Sequence, residues 1–290
     1  MHPHDNRAWL FVLPAALVLG FVGVIPLAIN AWHSLFDIFT LEQKFWVGTE
    51  WYTAILGSDR FYHSLGRSLM FSAVVIAVQF PLGLAIALAL PRDGLMRALC
   101  LVLLAVPLMV PWNMIPAIWL SLINPDTGYV GRLMAWAGIA FDYKFTALHT
   151  WILLVAMDTW HWVGLVAILS CSGLAAIAPS YYQAAAIDSA TRWQVFRFIE
   201  LPKLAAVLTM ALLLRFMDSF MIYTEAFGIN AGGPSGATAF LSLDLGEEIK
   251  AFNYGPAAAR SVIYFALALV IVWGFWRALN AQRDANEAAR

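Results

Sequence analysis

The chain has 290 residues, of which 62% are hydrophobic and only 12% are charged, whereas soluble domains carry about 25% charged residues. This composition excludes a water-soluble fold, and the net charge of -1 excludes the basic excess that a nucleic-acid-binding surface needs. The only cysteines, Cys100 and Cys171, lie in or beside apolar blocks without a CxxC pair or neighbouring histidine ligands. We therefore expect an integral membrane protein without a disulfide or a metal site.

Six apolar blocks follow one another along the chain, each near the 20 or so residues that a helix needs to cross a bilayer. They cover about 9–31, 68–90, 98–120, 147–169, 204–227 and 256–279. Because the blocks are continuous and do not alternate as barrel strands do, they predict an all-α polytopic fold with about six transmembrane helices in one membrane domain, 1–290. The first block is longer than a signal-peptide core, so we expect it to be retained as the first span.

Proline punctuates the third block, at Pro107, Pro111 and Pro116. Proline removes a backbone hydrogen bond and clashes with the preceding turn, so this span is predicted to be bent or interrupted.

Basic residues indicate the orientation of the spans. One set of alternating loops and termini carries nine of them in short sequence: Arg7, Arg92, Arg97, Arg192, Arg197, Lys203, Arg277, Arg283 and Arg290. The opposite set carries seven: Lys44, Arg60, Arg67, Arg132, Lys144, Lys250 and Arg260. The positive-inside rule therefore predicts that both termini are cytoplasmic.

The loop at 170–203, between the fourth and fifth spans, is too long for a simple connection, and its pattern predicts two short helices. Pro179 fits the first turn of the first helix, which the alanine-rich run 183–187 continues. Asp188 and Ser189 are expected to end this helix, and Ser189 is a candidate N-cap of the second.

In the second helix of this loop, Trp193, Phe196 and Ile199 recur at three-residue spacing and form an apolar stripe. The charged residues between them, Arg192, Arg197 and Glu200, are expected to face water, and Pro202 to open the fifth span. This periodicity fits two alternatives equally, a helix pair that docks a soluble partner or an ordinary interfacial amphipathic loop.

The run QAAAIDSATRWQVFRFIELPKL closely resembles the EAA loop of binding-protein-dependent importer permeases. The matching residues are Ala184, Ala185, Asp188, Ala190, Phe196, Ile199, Leu201 and Pro202. Two positions depart from the family pattern, since Gln183 replaces a glutamate and Ser189 replaces the glycine of the turn. The resemblance favours the docking alternative, with this coupling loop (170–203, including Gln183 and Ser189) contacting an ATPase.

The likeness extends to the carbohydrate branch of these permeases, which includes maltose and glycerol-phosphate importers. It is carried by Trp160–Gly164; by Arg215, Asp218, Phe220 and Glu225; by Gly232, Gly233, Pro234 and Thr238; and by Phe252, Gly255 and Ala258–Ser261.

This resemblance implies a multi-pass subunit of the bacterial inner membrane that pairs with a second permease. Its other implied partners are two ATPase subunits and an extracytoplasmic solute-binding protein. The chain contains no GxxxxGK[ST] motif, so ATP and Mg²⁺ are expected to be used by the partner subunits. The chain itself is expected to be a transport subunit and not an enzyme, with no bound cofactor.

Four charged residues lie within or at the ends of spans: Asp158, Arg215, Asp218 and Glu225. An unpaired charge there costs several kcal/mol, so each is expected to face the protein interior. Arg215 and Asp218 are three residues apart and can form an intrahelical ion pair. Direct contact with the substrate is the alternative role.

Asp158 clusters with Trp160, His161 and Trp162 on the fourth span. A carboxylate beside aromatic rings suits a polyol, and packing with interfacial anchoring is the alternative. Because Arg215 already has a carboxylate partner, little positive charge remains for an anionic substrate. The expected substrate is therefore a neutral sugar or a small polyol such as glycerol.

Two rival functions remain. An ion-coupled secondary transporter could use the buried carboxylates Asp158 and Asp218, but the sequence lacks the internal repeat typical of such proteins and this reading leaves the loop unexplained. A membrane-embedded enzyme could use His161 and Asp158 as acid and base, but no nucleophile or metal-ligand motif supports it.

Overall fold

The computed structural model describes residues 8–39, 43–91 and 93–288, with side chains described from residue 11 to residue 277 within those ranges. Arg7, Arg92 and Arg290, which enter the orientation argument, lie outside the described residues, as does the side chain of Arg283. The orientation of the termini therefore stays a prediction.

The described chain is mostly helical, which confirms the all-α class. Its helices are α1 Ala8–Leu19, α2 Ile25–His33, α3 Glu50–Leu56, α4 Asp59–Ala89, α5 Leu95–Ala105, α6 Ile115–Ile123, α7 Tyr129–Trp136, α8 Ala147–Ala175, α9 Pro179–Ile187, α10 Arg192–Val195, α11 Leu201–Phe220, α12 Thr224–Asn230, α13 Leu241–Lys250 and α14 Tyr254–Ala288. One small antiparallel hairpin, β1 Phe36–Ile38 with β2 Lys44–Trp46, is the exception that the sequence did not predict.

Within the described residues, five helical stretches are long and apolar enough to cross a membrane: Phe11–His33, Asp59–Ala89, Ala147–Ala175, Arg192–Asn230 and Tyr254–Arg277. A sixth is the broken pair Leu95–Met109 and Trp112–Ile123, which is bent by 82°. The predicted count of about six is confirmed, and so is the break in the third span, where Pro107 and Pro111 flank the bend.

Two boundaries differ from the prediction. The second span begins at Asp59, well before the predicted start at 68, because the polar turn Asp59–His63 continues the helix. The predicted fifth span, 204–227, lies inside the stretch Arg192–Asn230, which begins earlier and is interrupted between Phe220, where α11 ends, and Thr224, where α12 begins.

One compact unit comprises the described residues up to Tyr62 together with Asp244–Gly274. Trp51 Nε1 donates to the Phe36 carbonyl at 3.1 Å, so α3 is held against the hairpin. A Cβ at Gly255 would lie 2.2 Å from the same carbonyl oxygen, and α14 therefore requires glycine there. Arg60 at the start of α4 is paired with Asp244 at 2.7 Å.

The second compact unit comprises His63–Leu243 with the described residues from Phe275 on. Its central helix is α8, which packs closely on two neighbours through glycines. A Cβ at Gly164 would lie 2.0 Å from the Leu104 carbonyl oxygen of α5, and one at Gly83 of α4 would lie 2.8 Å from the Val166 side chain. Small residues allow such close approach between membrane helices.

Apolar clusters fill the spaces around α8 in this second unit. One cluster joins α4, α8 and the chain from Ile222 on, and its buried members are Phe71, Val75, Leu154, Ile222, Ala226, Phe240 and Leu243. Another joins α6 to α8 and includes Ile115 and Met157, both fully buried. These contacts position the polar residues of α8 and α11 described below.

Candidate functional site

The first helix of the loop between the fourth and fifth spans, α9, runs from Pro179 to Ile187 as predicted. It ends in a Schellman motif, in which Ala190 N donates to the Ala185 carbonyl at 2.9 Å and Ser189 N to the Ala186 carbonyl at 3.2 Å. Ser189 has a φ of 54°, in the left-handed region that favours glycine. A serine therefore occupies the position where the resembling family has a glycine.

The N-cap of the second helix, α10, is Thr191, so the prediction that Ser189 caps it is wrong. Thr191 Oγ1 accepts from Gln194 N at 3.4 Å, and Gln194 Oε1 accepts from Thr191 N at 2.7 Å. This reciprocal capping box satisfies two backbone donors at once. Ser189 is unavailable for capping because it terminates α9.

Helix α10 does not end before the fifth span. It continues through a π-helical segment, Phe196–Glu200, directly into α11, with helical backbone angles at every junction. Pro202 is the second residue of α11 and follows the π-helical segment directly, so the helical path passes through a proline without ending there. The second predicted helix and the fifth span thus form one continuous helical rod.

Glu200 was expected to face water, and this prediction is wrong. Its side chain is only 4% exposed, and its Oε2 accepts a hydrogen bond from Arg192 Nη1 at 2.6 Å. Tyr182 Oη of α9 donates to Glu200 Oε1 at 3.4 Å. A carboxylate is tolerated in this buried place because two donors satisfy it. Arg192 and Arg197 are exposed, as predicted.

Large apolar side chains on the loop are exposed: Ile187 by 84%, Phe198 by 73% and Trp193 by 68%. The predicted stripe is therefore only partly on the surface, since Phe196 and Ile199 are half-buried. Trp193 and Phe196 still contact each other, with ring centroids 5.4 Å apart. Exposed apolar groups of this size on a loop of a membrane protein mark a surface that contacts another protein or the membrane.

The residues predicted to couple to the ATPase, including the two that depart from the EAA pattern, differ in exposure. Gln183, Ala184, Asp188, Ser189 and Pro202 are exposed, Ala190 is half-buried and Ala185 is buried. A shallow crevice of about 360 Å³ runs between α9 and the following helix, with Ala184, Asp188 and Phe198 on its walls. The loop thus offers a groove flanked by apolar side chains.

A second group of predicted residues meets inside the bundle and is here called the Arg215 cluster: Gln79, Asp158, Arg215 and Asp218. Arg215 Nη2 lies 2.5 Å from Asp158 Oδ2, and its Nη1 lies 2.6 Å from Asp218 Oδ2. Its Nε donates to Gln79 Oε1 at 2.9 Å, and Gln79 Nε2 donates to Asp158 Oδ2 at 2.6 Å. One guanidinium therefore joins α4, α8 and α11.

The members of the Arg215 cluster differ in exposure. The side chains of Arg215 and Asp158 are 0% and 2% exposed, whereas that of Asp218 is 35% exposed. The predicted intrahelical pair of Arg215 and Asp218 is present, and Asp158 extends it across helices. In this conformation Asp218 is the accessible carboxylate of the cluster, and Asp158 is enclosed.

Sequence reasoning missed Gln79, which completes the Arg215 cluster. The sequence did contain a signal for it, because Gln79 is a lone amide in the apolar second span, directly after the run 73–78. Polar residues inside spans usually face the interior and find partners there. Trp112 was also missed as a partner, and it donates from Nε1 to His161 Nε2 at 3.2 Å.

The predicted aromatic residues surround the Arg215 cluster unevenly. The ring of Trp162 lies 4.6 Å from the Arg215 guanidinium carbon, within the range of a cation–π contact. His161 is buried and contacts Trp162 edge-on, and Trp160 packs against Trp119 at 6.1 Å. Glu225 is buried on α12, after the helix break, and it takes part in none of the hydrogen bonds given above for the cluster.

A mostly apolar groove of about 950 Å³ lies beside the cluster, between α4 and α8. Val74, Val78, Trp151, Thr159 and Trp160 are on its walls. Within the described residues, no group of three or more His, Cys, Asp or Glu side chains is placed to hold a metal ion.

The chain is similar to known protein sequences over most of its length. The family described as "Binding-protein-dependent transport system inner membrane component" matches residues 79–280. The trehalose/maltose transport system permease protein MalF of Thermococcus litoralis is 28% identical over 282 residues, covering 95% of this chain and 94% of the relative. The trehalose transport system permease protein SugA of Mycobacterium tuberculosis is 26% identical over 287 residues, covering 97% and 91%.

Solved structures show the same fold. A chain of a bacterial ABC transporter involved in the import of the acidic polysaccharide alginate superposes with a TM-score of 0.77 at 18% identity, covering 94% of this chain and 96% of that one. The same transporter type, in complex with an alginate pentasaccharide-bound periplasmic protein, gives a TM-score of 0.77 at 19% identity.

Proposed function

Because the chain belongs to the family of binding-protein-dependent transport system inner membrane components, we propose that it is one of two permease subunits of an ATP-driven carbohydrate importer. In this proposal it pairs with a second permease, two ATPase subunits and an extracytoplasmic solute-binding protein. The partner ATPases use ATP and Mg²⁺, and this chain binds no cofactor of its own. Both of its termini lie in the cytoplasm.

The observation that carries the proposal is the coupling loop. Ile187, Trp193 and Phe198 expose large apolar side chains around the crevice beside α9, on an otherwise well-formed helix pair. Burying them against a soluble subunit is favourable by about 25 cal/mol for each Å² removed from water. The resemblance to the EAA pattern supports an ATPase as that subunit.

We propose a neutral carbohydrate as the solute. The Arg215 cluster contains one positive and two negative side chains, a net formal charge of -1, and N–H groups of Arg215 already donate to Asp158, Asp218 and Gln79. A solute that reaches Asp218 therefore meets a hydrogen-bond acceptor beside the Trp162 ring, which suits hydroxyl groups and repels anions. The names of the relatives, trehalose and maltose permeases, agree with a neutral sugar.

In the proposed mechanism, ATP-driven closure of the ATPase pair pushes on α9. The continuous rod from α10 to α11 carries this displacement into the membrane, where Asp218 lies on the same helix. A cavity between the two permeases then alternates between outward-facing and inward-facing states, and differential contacts in these states couple hydrolysis to import.

An ion-coupled secondary transporter remains the second candidate. It needs a carboxylate that binds and releases an ion during the cycle. Asp158 and Asp218 are both paired with Arg215, and Asp158 accepts a further bond from Gln79, which supports a structural role for these carboxylates. This candidate also gives no role to the exposed apolar side chains of the coupling loop.

The test is recovery of the complex after co-expression with the neighbouring transporter genes. Ile187→Asp places a charge on the exposed apolar surface without touching the core. Since truncating or charging a central interface residue typically costs 2 kcal/mol or more, we expect recovery of the ATPase to fall by roughly tenfold or more. Ile139→Asp, at a 55% exposed isoleucine outside the loop, is the matched control and should leave recovery unchanged.

Equal recovery of the ATPase with Ile187→Asp and Ile139→Asp would contradict docking at this surface.

The substrate proposal has a separate test in proteoliposomes that contain the whole complex. A neutral disaccharide should be imported, whereas a uronic-acid disaccharide of the same size should not; import of the uronic acid alone would contradict a neutral solute.

A further inference from the structure

Helix α9 is fastened to the rod α10–α11 by two tyrosines that follow each other in sequence. Tyr182 Oη donates to Glu200 Oε1 at 3.4 Å, and Glu200 Oε2 is paired with Arg192 at 2.6 Å. Tyr181 Oη accepts from Lys203 Nζ at 3.1 Å, and the same ammonium lies 4.4 Å from the Tyr181 ring centroid. These two attachments are independent of the backbone connection through Ser189 and Thr191.

Glu200 is the unusual member of this arrangement. Its side chain is 4% exposed although it lies among residues that the sequence pattern places at the membrane surface. Burial of a carboxylate is unfavourable unless it is paired and hydrogen-bonded, so the local structure must hold Arg192 and Tyr182 in place to keep it there. Such a pair adds geometric specificity between the elements it joins.

The backbone around Ser189 is one restraint on the angle between α9 and the rod, through the Schellman motif of α9 and the capping box of α10. Ser189 takes a left-handed conformation there that costs a non-glycine residue about 1 kcal/mol. The side-chain attachments at Glu200 and Lys203 add a second restraint. They lie at the junction of the π-helical segment and α11, where the rod enters its apolar span.

We propose that Glu200, held by Arg192 and bound to Tyr182, is a positioning residue that makes α9 move as one body with the fifth span. The inference rests on the proposed function, because α9 is the element that the ATPase displaces. If α9 can pivot, its displacement is absorbed in the loop and ATP is hydrolysed without a matching movement of α11. Glu200 therefore sets how much solute is imported for each ATP.

The first measurement compares wild type with Glu200→Gln in the complete transporter in proteoliposomes and records solute molecules imported per ATP hydrolysed. We expect this ratio to fall about fivefold, because a lost charge-assisted hydrogen bond shifts a docking equilibrium by roughly that factor or more. Glu50→Gln, at an exposed glutamate of α3, is the matched control and should leave the ratio unchanged. A simple loss of folded protein lowers import and hydrolysis together and does not move the ratio.

The second measurement uses the full-length permease alone and does not depend on its partners. Spin labels at the exposed positions Ser180 of α9 and Ala206 of α11, with Cys100 and Cys171 replaced by alanine, report the distance between the two elements. Wild type should give one narrow distance distribution. Glu200→Gln should broaden it, as should Tyr182→Phe to a smaller extent.

The two measurements separate the possible failures. An unchanged distance distribution in Glu200→Gln overturns the proposal, whatever happens to the ratio, because Glu200 then does not fix α9. Broadening with an unchanged import ratio overturns its role in coupling. If the wild-type complex shows no ATP-dependent import while Glu200→Gln still broadens the distribution, the positioning of α9 stands and the proposed function fails.

Discussion

The Arg215 cluster buries charged side chains and pairs them, whereas the coupling loop leaves apolar side chains exposed. In the cluster, the charged side chains of the bundle interior are paired with one another and with Gln79. In the coupling loop, large apolar side chains, Ile187 and Trp193 among them, are left exposed. The interior pairs its charges within the chain, whereas the loop leaves apolar groups that contact with another protein or with the membrane would bury.

The largest effect is expected from breaking the cluster. Arg215→Met keeps the side-chain volume but leaves Asp158 buried and without its main partner. Removing one partner of a buried ion pair costs about 3–5 kcal/mol, so the variant should show a marked loss of thermal stability in detergent. Asp218→Asn, at the 35% exposed carboxylate, is the milder comparison and should lose much less. If Arg215→Met unfolds at the wild-type temperature, the cluster does not hold the three helices together.

A smaller effect is expected from the close helix packing that positions the cluster. A Cβ at Gly164 would lie 2.0 Å from the Leu104 carbonyl oxygen, so Gly164→Ala must push α5 and α8 apart. We expect a loss of about 1–3 kcal/mol in the free energy of unfolding, as for other overpacked sites. Gly66→Ala serves as the control, because a Cβ at Gly66 meets nothing within 4 Å and alanine favours the helix. If Gly164→Ala and Gly66→Ala have the same unfolding temperature, the close approach of α5 and α8 at Gly164 is contradicted.

The smallest effect concerns the coupling loop and should have the opposite sign. Ser189 has a φ of 54°, which glycine adopts without the strain that a side chain brings. Ser189→Gly should therefore slow hydrogen exchange at Ala190 N, whose bond closes the Schellman motif, in proportion to a gain of about 1 kcal/mol. Ser189→Val should accelerate the same exchange. Faster exchange in the glycine variant would show that the serine side chain itself stabilises the turn.

Much of the fold could be predicted from the sequence, because span length and hydropathy reflect the bilayer directly. The six apolar blocks, the interrupted third span and the start of α9 at Pro179 were all predictable in this way. The boundary errors arose where a helix continues beyond the apolar run. Pro202 was predicted to open the fifth span, and it is the second residue of α11, but α10 and the π-helical segment already lead into that helix.

The site was harder to predict, because its geometry depends on contacts between distant segments. Arg215 and Asp218 could be paired from their spacing, but Gln79 comes from a helix more than a hundred residues away. Local periodicity predicted that Glu200 faces water, but the packing of α9 against the rod buries it. Thr191 and Ser189 are both plausible caps by residue type, and the backbone of Ser189 decides between them.

The central claim is that this chain imports a carbohydrate at the expense of ATP hydrolysed by partner subunits. The most direct test is uptake of a labelled neutral disaccharide into proteoliposomes that contain the assembled complex and the solute-binding protein. Uptake is measured with and without ATP on the side of the membrane that the ATPase subunits face. We predict uptake that requires ATP and the binding protein and is insensitive to a proton ionophore. Uptake that proceeds without ATP and is abolished by the ionophore would contradict the importer and identify an ion-coupled transporter.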